Sequence, residues 1–166
     1  LIASRWGLSR AALDDFSLLS HRGAAAAEDA GITARSIVPV TIDGPNGSRV
    51  VTRDEGVRRD TSPEKLAALK PAFIDGKVAV DWPEISWRVT AGNSSQVTDG
   101  AGAVLLVEEK VAARLGLRPR AAVTHFAVVG DDPILMLTAV IPATRRALAR
   151  ARLQVGAIDA WEVNEA

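Results

Sequence analysis

The fold class is decided by residues 90–116, which read TAGNSSQVTDGAGAVLLVEEKVAARLG. Small and glycine-rich residues come first, followed by the apolar run 103–107 and the helix-like run 108–115, which is closed by Gly116. A short apolar run predicts a buried strand, and a run with acids first and an arginine last predicts a helix that ends at a glycine. A strand followed by a helix is the repeating unit of a layered α/β protein.

The same alternation continues to the end of the sequence. Residues 122–129 predict a second strand, residues 142–153 a helix that carries four arginines, and residues 158–163 a third, short strand. Asn164 follows that strand directly. We therefore expect the second part of the chain to be an α/β core.

The first 89 residues lack this alternation. They predict a helix over 9–30 with Ser9 as its N-cap, and a hairpin whose strands, 37–42 and 49–52, flank an Asn-Gly turn. A short helix opening at Thr61, with Glu64 completing a capping box, comes next. Residues 74–89 predict an irregular loop, and the change of character near residue 90 predicts a domain boundary there.

Composition excludes several classes of protein. The chain has 166 residues, with 20 basic and 20 acidic side chains, and this neutral balance argues against a nucleic-acid partner. It contains no cysteine and two histidines, His21 and His125, so we expect no thiolate or histidine-rich metal site within it. No apolar run approaches the roughly 18 residues of a membrane span.

Two polar segments are candidates for a functional site. Residues 90–95 combine glycine with small side chains, so their backbone can approach a ligand closely; the alternative is a tight interdomain turn. Residues 164–166 follow an apolar strand, where open α/β sheets place functional groups; the alternative is an ordinary turn and helix cap. A dinucleotide-binding loop at Gly100 and Gly102 is disfavoured, because a strand follows these glycines instead of preceding them.

Taken in order along the chain, these segments resemble the thiolase family. The matching stretches are Ser9-Arg10 with Asp14-Asp15-Phe16 and Ser20-His21, Ile37 to Val40, Asp54-Glu55-Gly56 with Arg58, Leu69 to Phe73, Thr90 to Ser95 with Asp99-Gly100-Ala101, Val129-Gly130 with Asp132-Pro133, Pro142 to Arg145, and Asn164-Glu165-Ala166. The stretch 90–95 is the most specific of them, and the last one resembles an Asn-Glu-Ala-Phe motif without its phenylalanine. The resemblance spans essentially the whole chain.

The resemblance implies a partial, thiolase-like layered α/β fold with part of an inserted loop domain. Residues 1–89 are expected to belong to the loop domain, residues 90–117 to the end of the N-terminal core domain, and residues 118–166 to the start of the C-terminal core domain. The implied activity is that of an acyl-CoA C-acyltransferase of fatty acid metabolism, which cleaves 3-ketoacyl-CoA by thiolysis or forms it by Claisen condensation. Coenzyme A and acyl-CoA enter as substrates, and no tightly bound cofactor or metal is expected.

The resemblance also implies roles for individual residues. Asn164 would hold a water molecule that donates to the oxyanion and is the expected catalytic residue. Coenzyme A would be bound by five residues: Arg58 at the nucleotide end, Phe73 by packing, Ala91 and Ser95 along the pantetheine passage, and Ala166 near the acyl group. On this hypothesis Asn164 and Ser95 are two walls of one pocket.

Departures from the family pattern limit the expected activity. The two family cysteines and the histidine of a Gly-His-Pro motif have no counterpart here, so we expect an internal fragment that is inactive by itself. The full-length parent is expected to be a cytoplasmic homodimer or homotetramer without a membrane span. Two other hypotheses stay open: a non-catalytic thiolase-like protein or subunit that binds acyl-CoA, and a generic α/β domain whose resemblance is accidental.

Overall fold

The computed structural model describes residues 1–164. Glu165 and Ala166 lie outside the described residues, and so does the binding role expected of Ala166. The chain divides between Thr98 and Asp99 into two compact units, which are described separately. The helices and strands are α1 (Ile2–Arg5), α2 (Arg10–Asp29), β1 (Val40–Gly44), β2 (Gly47–Val51), α3 (Pro63–Ala67), α4 (Gly76–Asp81), α5 (Glu109–Arg114) and α6 (Val140–Ala151).

Helix α2 is the long element of the first unit, and its prediction from the sequence is confirmed. The Ser9 hydroxyl accepts a hydrogen bond from the Ala12 amide at 3.1 Å, which satisfies one of the unpaired donors at the helix start. Gly31, with φ of +68°, ends the helix in the left-handed conformation that glycine adopts without strain. Helices α2 and α3 contact each other, and their buried apolar side chains are Leu18 and Leu66.

The predicted hairpin is also confirmed, with shifted bounds. Strands β1 and β2 pair antiparallel from Val40 with Val51 to Gly44 with Gly47. The first strand begins later than predicted, at Val40, because Pro39 has no N–H to give to a ladder. Gly47 turns the chain at a φ of +106°.

Two predictions for residues 61–89 are wrong in detail. The N-cap of α3 is Ser62 and not Thr61: the Ser62 hydroxyl accepts from the Lys65 amide at 3.3 Å. The region predicted as an irregular loop contains α4, whose first turn is capped by the Asp75 carboxylate, 2.9 Å from the Val78 amide. In both cases a single side chain close to the helix start decides the local structure.

The second unit contains the two predicted helices. Helix α5 ends at Arg114 and is followed two residues later by Gly116, which has a φ of +64°. Helix α6 begins two residues before its predicted start at Pro142. Arg150 and Arg146 of α6 donate to the Phe126 and Val128 carbonyls at 2.9 and 3.3 Å. These two arginines therefore tie the helix to the segment predicted as the second strand.

The three strands predicted in the second unit form no ladder among residues 99–164. Their apolar side chains are exposed: Val104 is 86% exposed and Phe126 is 72% exposed. An extended segment becomes a strand only when a neighbouring backbone pairs with it, and nothing in residues 99–164 provides that neighbour. None of the helices within residues 1–164 is long and apolar enough to cross a membrane.

Candidate functional site

The centre of the candidate site is a compact turn formed by residues 90–95 in the first unit. The Thr90 amide donates to the Asn93 side-chain oxygen at 2.8 Å, and the Gly92 amide donates to the Thr90 hydroxyl at 3.1 Å. The Ser94 hydroxyl donates to the Thr90 carbonyl at 2.8 Å. Thr90 is fully buried, whereas Ala91 and Ser95 are exposed. The turn is thus held by its own polar side chains and presents two small residues to solvent.

Gly92 allows this turn to lie directly against α3. A Cβ at this position would stand 2.6 Å from Leu66 Cδ2 and 2.6 Å from Leu69 Cδ1. These distances are far below a normal carbon–carbon contact of about 3.5–4.0 Å. A glycine is therefore required for this close approach to α3, whereas the sequence analysis predicted a close approach to a ligand.

A half-buried polar network, centred on the buried Asp14 carboxylate, connects the turn to α2. The Asn93 amide donates to Asp14 Oδ1 at 2.8 Å and to the Arg88 carbonyl at 3.1 Å. Asp14, only 6% exposed, also accepts from Arg10 Nε at 2.7 Å. Arg10 in turn donates to the Leu66 and Leu69 carbonyls at 2.6 and 3.0 Å. These carbonyls belong to the end of α3 and the residues after it, where a helix favours a cation; the Leu66 carbonyl also accepts from the Leu69 amide.

Arg58 lies on a second segment that is joined to the turn. The Gln96 side chain donates to the Gly56 carbonyl at 2.9 Å, and the Arg58 amide donates to His21 Nδ1 at 3.2 Å. The Arg58 side chain is exposed and forms no ion pair or side-chain hydrogen bond among residues 1–164. Its guanidinium is therefore available to a ligand, and its backbone is fixed from two sides.

The neighbouring Arg59 is committed to a structural role. Its guanidinium binds both carboxylate oxygens of Asp29 at 2.9 and 3.1 Å and also pairs with Glu28. The hydrogen bond from Arg59 lowers the pKa of the Asp29 carboxyl below its usual value of 3.8, and these partners raise the pKa of Arg59. Arg59 thus fastens the Arg58 segment to the end of α2.

Phe73 lies on a third segment, which pairs with the turn as a short antiparallel bridge. Pro71 is bridged to Thr90, and the Ala72 amide donates to the Val89 carbonyl at 2.8 Å. Phe73 has a φ of +60°, which is unfavourable for a bulky side chain, and it is 75% exposed. A strained backbone that holds an aromatic ring in solvent is typical of a binding site.

The first unit therefore brings together the segments that carry four of the predicted binding residues: Arg58, Phe73, Ala91 and Ser95. Backbone and side-chain hydrogen bonds join the three segments, as described above. The sequence analysis singled out the stretches that contain Asp14 and Asn93 but not the hydrogen bonds that they make, and it did not single out Gln96, because these links act across gaps of 40 to 79 residues. His21 of α2 accepts a hydrogen bond from the Arg58 backbone amide at the surface.

The second unit carries Asn164, which is exposed. Helix α6 and the segments around it line an open, mostly apolar pocket of about 240 Å³, whose lining includes His125, Leu148 and Trp161. Within residues 1–164 no group of three or more potential ligand side chains could hold a metal ion.

In the first unit, hydrogen-bonded segments thus carry a small-residue turn, an exposed aromatic ring and an exposed guanidinium that makes no side-chain hydrogen bond among residues 1–164. Comparison with known proteins identifies the family. Residues 1–110 match the family model "Thiolase, N-terminal domain" and residues 117–166 match "Thiolase, C-terminal domain". The chain belongs to the thiolase family.

Individual relatives agree with this assignment. The chain is 42% identical to the acetyl-CoA acetyltransferase of Paracoccus denitrificans, over 99% of this chain and 40% of the relative. It is 43% identical to the peroxisomal 3-ketoacyl-CoA thiolase A of Mus musculus, over 99% of this chain and 38% of the relative. The crystal structure of human mitochondrial 3-ketoacyl-CoA thiolase matches with a TM-score of 0.88 and 34% identity, over 99% of this chain and 39% of that chain. The partial thiolase-like α/β fold is thereby confirmed, and the chain spans about two fifths of the length of these relatives.

Proposed function

We propose that this chain is part of an acyl-CoA C-acyltransferase that cleaves 3-ketoacyl-CoA by thiolysis or forms it by the reverse Claisen condensation. The observation that carries the proposal is the linkage of three segments in one unit, which bear Arg58, Phe73, Ala91 and Ser95. Membership of a family whose relatives are named acetyl-CoA acetyltransferase and 3-ketoacyl-CoA thiolase supports it.

The chemistry of coenzyme A fits the exposed groups of these segments. Arg58 offers a planar cation to phosphate and adenine, and Phe73 offers an apolar face. Ala91 leaves room for the narrow pantetheine arm. The Ser95 hydroxyl, exposed and without a hydrogen-bond partner among residues 1–164, can bond to a pantetheine amide. Ala166 is proposed to contact the acyl or pantetheine region, on the basis of the resemblance alone.

The proposed catalytic role of Asn164 follows from charge development in the reaction. Attack on a thioester and formation of an enolate both place negative charge on oxygen, which requires aimed hydrogen-bond donors. An asparagine amide can hold a water molecule that donates to this oxygen, and the amide does not compete as a base. A cysteine nucleophile must come from elsewhere, because these 166 residues contain no cysteine. We therefore expect binding of coenzyme A, but no turnover, from the 166 residues alone.

The binding proposal is tested by isothermal titration of coenzyme A into the full chain. Arg58→Gln removes a charge-assisted contact and should raise the Kd about tenfold or more. Arg53→Gln is the matched control, since Arg53 is exposed and lies on the same loop. Ser95→Ala, with Ser20→Ala as its control, should raise the Kd about fivefold. Equal affinities in Arg58→Gln and Arg53→Gln would refute the assignment.

Turnover is tested on the complete product of the gene that encodes these residues, with acetoacetyl-CoA and coenzyme A. Thiolysis is the expected result. Binding of coenzyme A without thiolysis would instead favour the non-catalytic acyl-CoA-binding protein.

The remaining proposals concern organisation and location. We keep the division into residues 1–89, 90–117 and 118–166; the gap between the two family matches, at residues 111–116, supports the boundary near 117. A homodimer or homotetramer and a cytoplasmic location are proposals from the resemblance. The mouse relative is named as peroxisomal, so localisation of the tagged gene product is the measurement needed.

A further inference from the structure

We infer that Asn93, Asp14 and Arg10 form a positioning network that sets the shape of the coenzyme A-binding turn 90–95. The inference rests on the proposed function for its ligand, whereas the network itself is a feature of the described residues. None of the three residues is expected to touch the ligand. Their role is to hold Ala91 and Ser95 where the ligand meets them.

Asn93 is the centre of the network because both the oxygen and the nitrogen of its side-chain amide form hydrogen bonds. Its oxygen accepts from the Thr90 amide at 2.8 Å, which closes the turn from within. Its nitrogen donates to Asp14 and to the Arg88 carbonyl at 2.8 and 3.1 Å, which fixes the turn from outside. Only an amide supplies an acceptor and two donors in this geometry.

Asp14 and Arg10 extend this hold to α3. Each oxygen of the Asp14 carboxylate has its own donor, Asn93 on Oδ1 and Arg10 on Oδ2. The Arg10 guanidinium donates hydrogen bonds to the carbonyls of Leu66 and Leu69, which are the residues against which Gly92 packs. One buried carboxylate therefore fixes the turn and the surface beneath it together. A polar network that is shielded from solvent in part holds a single arrangement when every member is satisfied.

Isosteric substitutions separate positioning from packing. Asn93→Asp keeps the shape and the acceptor for Thr90 but loses both donors and sets a second carboxylate against Asp14. Asp14→Asn leaves Arg10 or Asn93 without an acceptor. The double variant D14N/N93D restores complementarity, because the new amide at 14 can donate to the new carboxylate at 93 while its oxygen still accepts from Arg10. The bond to the Arg88 carbonyl is not restored.

The experiment measures amide hydrogen exchange at Thr90 and Gly92 in the ligand-free full chain, followed by coenzyme A affinity. Each single variant should speed exchange at these amides about tenfold or more and raise the Kd about tenfold, with partial recovery of both in the double variant. Asp15→Asn, one residue along the same helix, and Asn46→Asp, in the hairpin turn, are the matched controls, since both residues are exposed.

The outcomes distinguish the two proposals. Exchange at Thr90 and Gly92 that is the same in Asn93→Asp and Asn46→Asp overturns the positioning network, whatever the affinity. A double variant no better than the worse single variant also overturns it. Faster exchange in the single variants of a chain that binds no coenzyme A refutes the proposed ligand and leaves the network standing.

Discussion

Gly92→Ala tests whether the candidate binding turn depends on its close approach to α3. The new methyl group would meet Leu66 Cδ2 and Leu69 Cδ1, each at 2.6 Å. Both contacts fall about 1 Å short of normal van der Waals separation. Gly92 does not have a positive φ, so alanine adds no backbone strain, and the effect isolates packing.

The expected cost follows from the freedom of the two leucines. Leu69 is 38% exposed and can rotate away, whereas Leu66 is 5% exposed and its carbonyl is bound by Arg10 of α2. One contact is therefore relieved and one remains, which corresponds to overpacking by a methyl group at about 1–3 kcal/mol. We expect a loss of about 2 kcal/mol in the free energy of unfolding, together with weaker coenzyme A binding.

The assay is urea denaturation followed by tryptophan fluorescence, with Gly23→Ala as the matched control. A Cβ at position 23 has nothing within 4 Å, and the site is inside α2, so this substitution should stabilise by up to about 1 kcal/mol. In the double variant with Leu66→Ala, the loss in the free energy of unfolding should be about 1 kcal/mol smaller than the sum of the losses in the two single variants. A Gly92→Ala chain as stable as the wild type, or strictly additive losses, would refute the packing argument.

Three further predictions concern strain, catalysis and charge. Phe73→Gly should relieve the left-handed backbone strain and raise stability by about 1 kcal/mol while weakening coenzyme A binding, measured by denaturation and titration; a loss of stability would contradict the strain argument. Asn164→Ala in the complete gene product should lower kcat about 10²–10³-fold with the fold retained, and wild-type turnover would count against the oxyanion role. Arg59 lowers the pKa of Asp29, so this ion pair should contribute fully to the free energy of unfolding at pH values above 3.8, and the contribution should be lost as the pH falls through the lowered pKa. An NMR titration of the Asp29 carboxyl should show a midpoint that rises in Arg59→Gln and is unchanged in Arg53→Gln.

Elements with local causes were predictable from the sequence. Helix α2 follows from apolar spacing, a serine cap and a terminal glycine, all of which act within a few residues. The hairpin follows from an Asn-Gly turn. The errors were also local: neighbouring Thr61 and Ser62 can both cap, and Asp75 caps a helix too short for its periodicity to be read.

Elements with distant causes were not predictable in the same way. The apolar runs 103–107, 122–129 and 158–163 have the composition that is typical of strands. A strand also needs a second backbone segment to pair with, and none pairs with these runs within residues 99–164. A sequence pattern reports how apolar a segment is and does not report whether a partner is available. The same distinction explains the exposed side chains of Val104 and Phe126.

The candidate site shows the same division between what a residue offers and what holds it in place. Arg58, Phe73 and Ser95 could be named from the sequence because a motif carries their identity. The hydrogen bonds that hold these residues in place could not be predicted, since Arg10 binds the Leu66 carbonyl across 56 residues and Asn93 binds Asp14 across 79. Such pairings become visible only in the folded chain.

The location of these supports makes binding and catalysis separable by experiment. Arg58, Phe73 and Ser95, with the hydrogen bonds that link their segments, all lie within residues 1–98. The proposed acyl transfer also needs a cysteine thiolate, which this chain does not contain, and the proposed donor Asn164 lies in the other unit. Substitutions in the network should therefore change the affinity for coenzyme A in the 166-residue chain, where no turnover can obscure the effect. In the complete gene product the same substitutions should raise KM more than they lower kcat, because they act on the part of the substrate that does not react.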